Sequence, residues 1–252
     1  MVGLRARNGV FAAAALIGVI LFPVIDATAQ RVESVEDYLA ANYTRAEHYA
    51  PMRDGEGLFT AVFVPKDTTK TYPILLERTP FGAGAFGGDY NRGQTGPNVT
   101  LLREGYIVVR QEVRGTYRSG GRYSYITPHI ADKKPGDVDE STDTYDTIEW
   151  LLANVPHHNG RVGLWGIDYA GFSAVAGMIG AHPALKAVSP QAPVVDPWSG
   201  TLFSGGAFKP AHALRFVMDY GESVQGQQMG FNGLDFHTGT DWYKFLLELG
   251  SL

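Results

Sequence analysis

Residues 163–172 read Gly-Leu-Trp-Gly-Ile-Asp-Tyr-Ala-Gly-Phe, between an apolar run at Val162–Ile167 and a run of small residues reaching Ile179. An apolar strand that passes directly into a small-residue helix must turn sharply. Such a turn tolerates only small side chains two places before and two places after its apex. Gly166 and Ala170 meet that demand around Asp168, and Gly171 adds slack. This is the pattern of a nucleophile elbow, with aspartate at the apex where serine is the usual residue. It puts the site at the C-terminal edge of a sheet, where open α/β sheets bind ligands.

The remaining pattern agrees. Strands are expected at Leu58–Pro65, Tyr72–Thr79, Gly105–Glu112, Val162–Ile167 and from Lys186 to Pro190. Helices are expected at Ser34–Tyr49, Asn98–Glu104, Asp143–Val155 and Tyr169–Ile179. In the third of these, Asp143 is the expected N-cap, with Asp146 on the favourable side of the helix dipole. Tyr145, Ile148, Leu151, Leu152 and Val155 share one face, and Pro156 and Asn159-Gly160 stop the helix. Met52-Arg53-Asp54-Gly55 reads as a turn, Phe81–Pro97 as a glycine-rich surface loop and Arg118–Gly136 as irregular. Strands alternating with helices imply an α/β fold, a mostly parallel sheet with helices on both faces. The chain has 252 residues, enough for one large α/β domain. After Pro197 it becomes glycine- and aromatic-rich, which reads as the start of a helical cap.

The N-terminus has a different composition. Arg5 and Arg7 precede an apolar stretch from Val10 to Ile25, and Ala27-Thr28-Ala29 supplies a small-x-small cleavage site. This is the layout of a secretory signal peptide over residues 1–29, so a secreted or periplasmic protein starting near Gln30 is expected. Contact with a membrane is expected only through that segment. A core over 30–197 and a cap or insertion over 198–252 follow. The formal net charge of -5 argues against a nucleic-acid or anionic-membrane partner. With no cysteine, disulfides and thiolate nucleophiles are excluded.

Several stretches resemble the cocaine-esterase-like, X-Pro dipeptidyl-peptidase type of α/β-hydrolase, nearest to its α-amino-acid ester hydrolase and glutaryl-cephalosporin acylase branch. They are Pro51–Gly55, Pro73–Pro80, Gly105-Tyr106 through Val113-Arg114-Gly115, Asp139–Asp143 with Asp146–Leu151, Asn159–Gly163, the elbow, and His182–Lys186. Together they cover residues 45–215. The resemblance implies an α/β-hydrolase core that cleaves small ester, amide or peptide substrates through an acyl-enzyme. It implies an oxyanion held by the backbone N–H of Tyr169 and by a tyrosine hydroxyl at the position of Phe81, which has none. It implies an acid and a histidine expected beyond Leu252, with whether the chain is a fragment left open, and a C-terminal jelly-roll domain that this sequence does not contain. An acidic residue for a substrate ammonium, expected after Val195-Asp196-Pro197-Trp198, falls on Leu202. No organic cofactor or catalytic metal is implied, and self-association into a homo-oligomer is left open.

Asp168 admits three readings. A carboxylate is ionised at neutral pH without a base, yet it is a poor nucleophile toward acyl carbonyls. The chain is then an ester/amide-family hydrolase with impaired or altered turnover, an Asp-nucleophile hydrolase of halides or epoxides, or a non-catalytic binding protein or truncated pseudoenzyme. The second needs a leaving-group donor, for which Trp165, Trp198 and Tyr169 are candidates. Other signals have plainer accounts. Gly82-Ala-Gly84-Ala-Phe-Gly87 matches a dinucleotide fingerprint, but Pro97 and further glycines follow instead of a helix. His157-His158 reads as a surface pair. His212 and His237, with Asp219, Asp235 and Asp241, are candidate triad partners. The acidic run Asp137–Asp146 reads as a solvated helix approach, with calcium as the alternative. Arg114-Gly115 reads as fixing the turn after a central strand. Tyr123, Tyr125, Trp198 and Phe203 suit an acyl pocket or core packing equally.

Overall fold

A computed structural model describes residues 35–84 and 99–210, together with 212, 213, 241, 244, 247 and 248. The expected signal segment, the loop from 85 to 98, His237, Asp219, Asp235 and most of the expected cap lie outside the described residues. Helix α1 (Val35–Asn42) leads into β1 (Tyr43–Pro51) and β2 (Gly57–Pro65). Strand β3 (Tyr72–Thr79), α2 (Val99–Glu104), β4 (Ile107–Glu112), α3 (Glu140–Asn154), β5 (His158–Ile167), α4 (Tyr169–Ala176) and β6 (Leu185–Gln191) follow. Six strands form one sheet in the order β1-β2-β4-β3-β5-β6. Strands β4, β3, β5 and β6 run parallel, and β2 and β1 are antiparallel additions at one edge. Among the described residues no helix is long and apolar enough to cross a membrane.

Helices cover both faces of the sheet, as its period-2 pattern requires. Ile107 and Val109 of β4, with Ile74, Leu76, Val162 and Leu164, pack against Ile148 and Leu151 of α3 and Ala174 of α4. Val108, between the two β4 residues, joins Phe59, Phe63, Leu39 of α1 and Leu102 of α2 on the other face. Burial of Ile148 and Leu151, both 0% exposed, stabilises the α3 contact by about 2 kcal/mol each.

Three expectations are corrected. The lead-in helix ends at Asn42, and Tyr43–Pro51 is a strand, because it pairs along its whole length with β2. The strong helix begins a turn early. Asp139, not Asp143, is its N-cap: the Asp139 carboxylate accepts from Ser141 N–H and Thr142 N–H, while Thr142 Oγ1 accepts from Asp139 N–H. Third, α4 ends at Ala176, short of Ile179.

The cap is electrostatically loaded as well. Burial pushes the Asp139 carboxyl upward, but the Lys133 ammonium at 2.8 Å, the Ser141 hydroxyl and the N–H groups of Ile130 and Thr142 outweigh that. Together they hold it well below the usual carboxylate range. The folded protein therefore binds fewer protons here than the unfolded chain, whose carboxyl titrates near pH ~3.9. The stability from Asp139 is complete above that pH and is lost as pH falls through the lower folded value. Asp139→Ala should lower stability by about 1–2 kcal/mol at pH 7. Asp139→Asn should flatten the fall of the urea midpoint between about pH 4 and pH 2.

Candidate active site at the β5–α4 elbow

Asp168 sits at φ 58° and ψ −115°, between the end of β5 and the start of α4. A non-glycine residue seldom adopts a positive φ, and the surroundings must enforce it. Two backbone bonds do so: Asp168 N–H donates to Gln191 C=O at the end of β6, and Asp168 C=O accepts from Phe172 N–H, both at 3.0 Å. Gly166 is obligatory, since a Cβ there would lie 2.3 Å from both the carbonyl carbon and oxygen of Ala170. Gly171 supplies contact instead of slack, with a would-be Cβ 2.6 Å from Gln191 C=O oxygen. The glycine pattern is thus the steric requirement of α4 lying against two strand ends.

The Asp168 carboxylate is exposed and accepts no hydrogen bond from any described residue, including the open N–H groups of its own helix. Partial burial raises its pKa above the ordinary carboxylate value. The first bond within α4 is made by Phe172, so the N–H groups of Tyr169, Ala170 and Gly171 are unclaimed within the helix. Tyr169 N–H is where an oxyanion donor would stand. Its side chain serves a structural purpose: the buried hydroxyl accepts from Ile126 N–H and donates to Ser124 C=O, both at 3.4 Å. Burial pushes that phenol far above its ordinary pKa, so it stays neutral.

Phe81 reaches the same edge from β3. Thr79 pairs with Glu112 of β4, and the pairing of Leu76 with Leu164 of β5, continued three residues, sets Thr79 level with Ile167. The Phe81 side chain packs against the cluster of Val113, Tyr169, Phe172 and Ala176. Its loop is pinned by buried Glu112, whose Oε1 accepts from Ala83 N–H at 3.1 Å and from Arg118 Nη2 at 2.6 Å. Arg118 also donates to Gly84 C=O. Asp168, Tyr169 and Phe81 therefore meet on neighbouring strand ends.

Most of the other candidates lie elsewhere. Tyr123 and Tyr125 pack on Tyr169, with ring centroids 6.2 and 5.4 Å away, and belong to the core beneath the elbow. Trp198 is 65% exposed and stacks on Phe203 at 3.9 Å in the turn Pro197–Leu202 and the short hairpin of β7 (Phe203–Ser204) and β8 (Ala207–Phe208). Trp165 Nε1 is buried with no partner among the described residues. His212 is exposed, and Asp241 accepts from Lys244 N–H. His158 is half-buried and structural: it opens β5, contacts Leu152 C=O at 2.9 Å and accepts from Gly160 N–H.

From Asp139 to Asp146 the acidic run is ion-paired instead of solvated. Asp139 is held by Lys133, Glu140 and Asp143 by Arg78, Asp143 also by Arg114, and Asp146 by Arg53, so its carboxylates neutralise the chain's own cations. Arg114 does more than fix a turn, because it also reaches Asp54 at 2.6 Å. The sequence reading missed Arg78, which is fully buried just below Thr79. The available signal was the charged pair Glu77-Arg78 closing a strand whose earlier residues, Ile74 to Leu76, are apolar.

Beside the elbow lies a cavity of about 430 Å³, mostly apolar, between the outward face of α4, the segment 126–129 and the first turn of α3. Phe172 is its end nearest Asp168, one helical turn away.

The comparisons with known proteins agree with this geometry. The family model for X-Pro dipeptidyl-peptidase (S15 family) matches residues 54–237. The cocaine esterase of Rhodococcus sp. (strain MB1 Bresler) is 32% identical over 171 residues, 66% of this chain and 27% of that enzyme. Among solved structures, an aminopeptidase from a marine sediment Thaumarchaeota archaeon is 35% identical with a TM-score of 0.68. The match covers 83% of this chain and 34% of that one. An α-amino acid ester hydrolase is 33% identical with a TM-score of 0.63, over 82% of this chain and 34% of the other. The chain thus spans about a third of the length of these solved relatives. With an elbow, a mostly parallel α/β sheet and a family match over most of its length, this chain belongs to the X-Pro dipeptidyl-peptidase (S15) family and has its α/β-hydrolase fold.

Proposed function

We propose that this chain is the elbow-bearing part of a secreted ester or amide hydrolase in which Asp168 has replaced the nucleophile. It binds small ester, amide or peptide ligands and turns them over slowly or not at all. The observation that carries this reading is a carboxylate at the elbow apex, exposed and without a hydrogen-bond partner among the described residues. The relatives support the substrate class, since their names describe cleavage of acyl esters or of amino-terminal amides. Phe81 supports the impairment, because loss of one oxyanion donor typically costs about 10²–10³ in rate. Secretion is supported by Arg5, Arg7 and the apolar stretch before Ala27-Thr28-Ala29. N-terminal sequencing of protein from a periplasmic extract should begin near Gln30.

The chemical test is Asp168→Ser. A serine hydroxyl attacks the activated ester carbonyl, its proton passes to buffer, p-nitrophenolate leaves, and water hydrolyses the acyl-enzyme. An aspartate would have to form a mixed anhydride. The variant should release p-nitrophenol from p-nitrophenyl acetate about tenfold faster than wild type, or more. No increase in a correctly folded variant overturns the hydrolase half of the proposal. The unbonded carboxylate also favours a second reading, attack on a saturated carbon of a halide or epoxide through an alkyl-ester intermediate. Single turnover in ¹⁸O-water that leaves Asp168 unlabelled eliminates it.

A further inference from the structure

The cavity beside the elbow has a built character. The sheet-facing side of α4 carries Ala170, Gly171 and Ala174, whereas its outward stripe carries Phe172, Val175 and Ala176, continued by Ile179. That stripe forms one wall, and Ile126 and Pro128 form the other. The segment carrying Ile126 is tied to α4 by the Tyr169 hydroxyl, which bonds the backbone at Ser124 and Ile126. Ile126 has φ 47°, a conformation that is a genuine outlier for a β-branched residue. Strain of this kind persists where the surroundings over-determine it, and it clusters at ligand clamps. The ionised groups at the floor are paired inside the protein: Glu140 with Arg78 at 2.6 Å, and Asp139 with Lys133 at 2.8 Å, beside His129 at 3.2 Å. No unbalanced charge therefore calls for a charged occupant. At about 430 Å³ the space falls in the ordinary range of small-ligand pockets. Its lining residue Phe172 stands one helical turn from Asp168, and its ring meets that of Tyr169 edge-on at 5.7 Å.

We propose that this cavity binds an uncharged apolar group, aryl or branched alkyl, belonging to the small ligand whose polar part lies at Asp168. The attribution of that polar part rests on the function proposed above.

The test is titration of the full chain with N-phenyl-1-naphthylamine, a neutral fluorophore, and with its anionic relative 1-anilinonaphthalene-8-sulfonate. One saturable site is expected for the neutral probe, with the anion binding about tenfold more weakly. Ala176→Trp fills the space and should raise the Kd of the neutral probe about tenfold. Val195→Glu sets a charge on the exposed rim, where folding is not at stake, and should raise Kd about threefold. Absence of saturable binding in wild type overturns the proposal, as does an unchanged Kd in the folded variants. Equal affinity for the anion overturns the neutral class. Titration needs no turnover. A chain that binds here but whose folded Asp168→Ser variant gains no hydrolysis leaves the cavity assigned and defeats the hydrolase reading. An Asp168→Ser variant that is active in a chain without probe binding does the reverse.

Discussion

Arg78→Met should lower stability by about 3–5 kcal/mol, the cost of leaving buried carboxylates without their partner. The guanidinium is fully buried. Its Nη1 donates to Glu140 Oε2 at 2.6 Å, to Glu140 C=O at 3.0 Å and to Thr144 Oγ1 at 3.1 Å. Its Nε donates to Gln111 Oε1 at 2.7 Å, and its Nη2 lies 3.5 Å from Asp143. Methionine restores much of the volume but none of the charge, so Glu140 is stranded and Asp143 keeps only Arg114. The net contribution of such a cluster against an all-apolar alternative is small, because desolvation offsets attraction. Removing one member is a different operation. Urea unfolding followed by far-UV circular dichroism measures the loss, and Arg78→Met with Glu140→Gln should recover part of it. A loss under about 1 kcal/mol would mean that water reaches the cluster. The same variant should loosen Thr79–Phe81, since Arg78 ties the end of β3 to the first turn of α3.

Gly166→Ala should cost about 3 kcal/mol or more, because the new methyl meets backbone that no rotamer change can move. The contacts would be 2.3 Å to the Ala170 carbonyl carbon and oxygen and 2.6 Å to the Ala170 Cβ. Relief requires α4 to back away from β5, which also displaces Asp168 and breaks the clamp on Gln191. Gly163→Ala, three residues earlier on the same strand, is the control. Its nearest neighbour would be Leu75 Cδ1 at 3.6 Å, an ordinary contact, so stability should stay within about 1 kcal/mol of wild type. Thermal unfolding of the pair separates the two cases. Equal melting temperatures would show that the elbow can open without penalty.

The contrast between these glycines shows how the chain could be read. The elbow is legible because its constraint is local: residues two before and two after an apex must be small whatever the rest of the protein does. Strands β3 and β4 are legible because both their faces are covered, so Ile107–Glu112 is buried at every position. Strand β1 is not. Tyr43–Pro51 alternates poorly, is mostly exposed and follows a true helix, so only pairing with β2 makes it a strand. The cap of α3 was misread for a related reason. Asp139 and Asp143 are equivalent as residue types. Asp139 caps because Thr142 reciprocates, while Asp143 is drawn to Arg114 and Arg78.

By itself the sequence determined the α/β class, the elbow with a carboxylate at its apex and the family, because each is written in short-range steric or residue-type patterns. Tertiary structure alone decided that Arg78 and Glu140, 62 residues apart, are ion-paired, that Phe81 packs on Tyr169 and Phe172 from another strand end, and that an apolar cavity opens beside α4. Contacts between distant residues depend on how the strand ends align across the sheet, and no local window of residue types encodes that alignment.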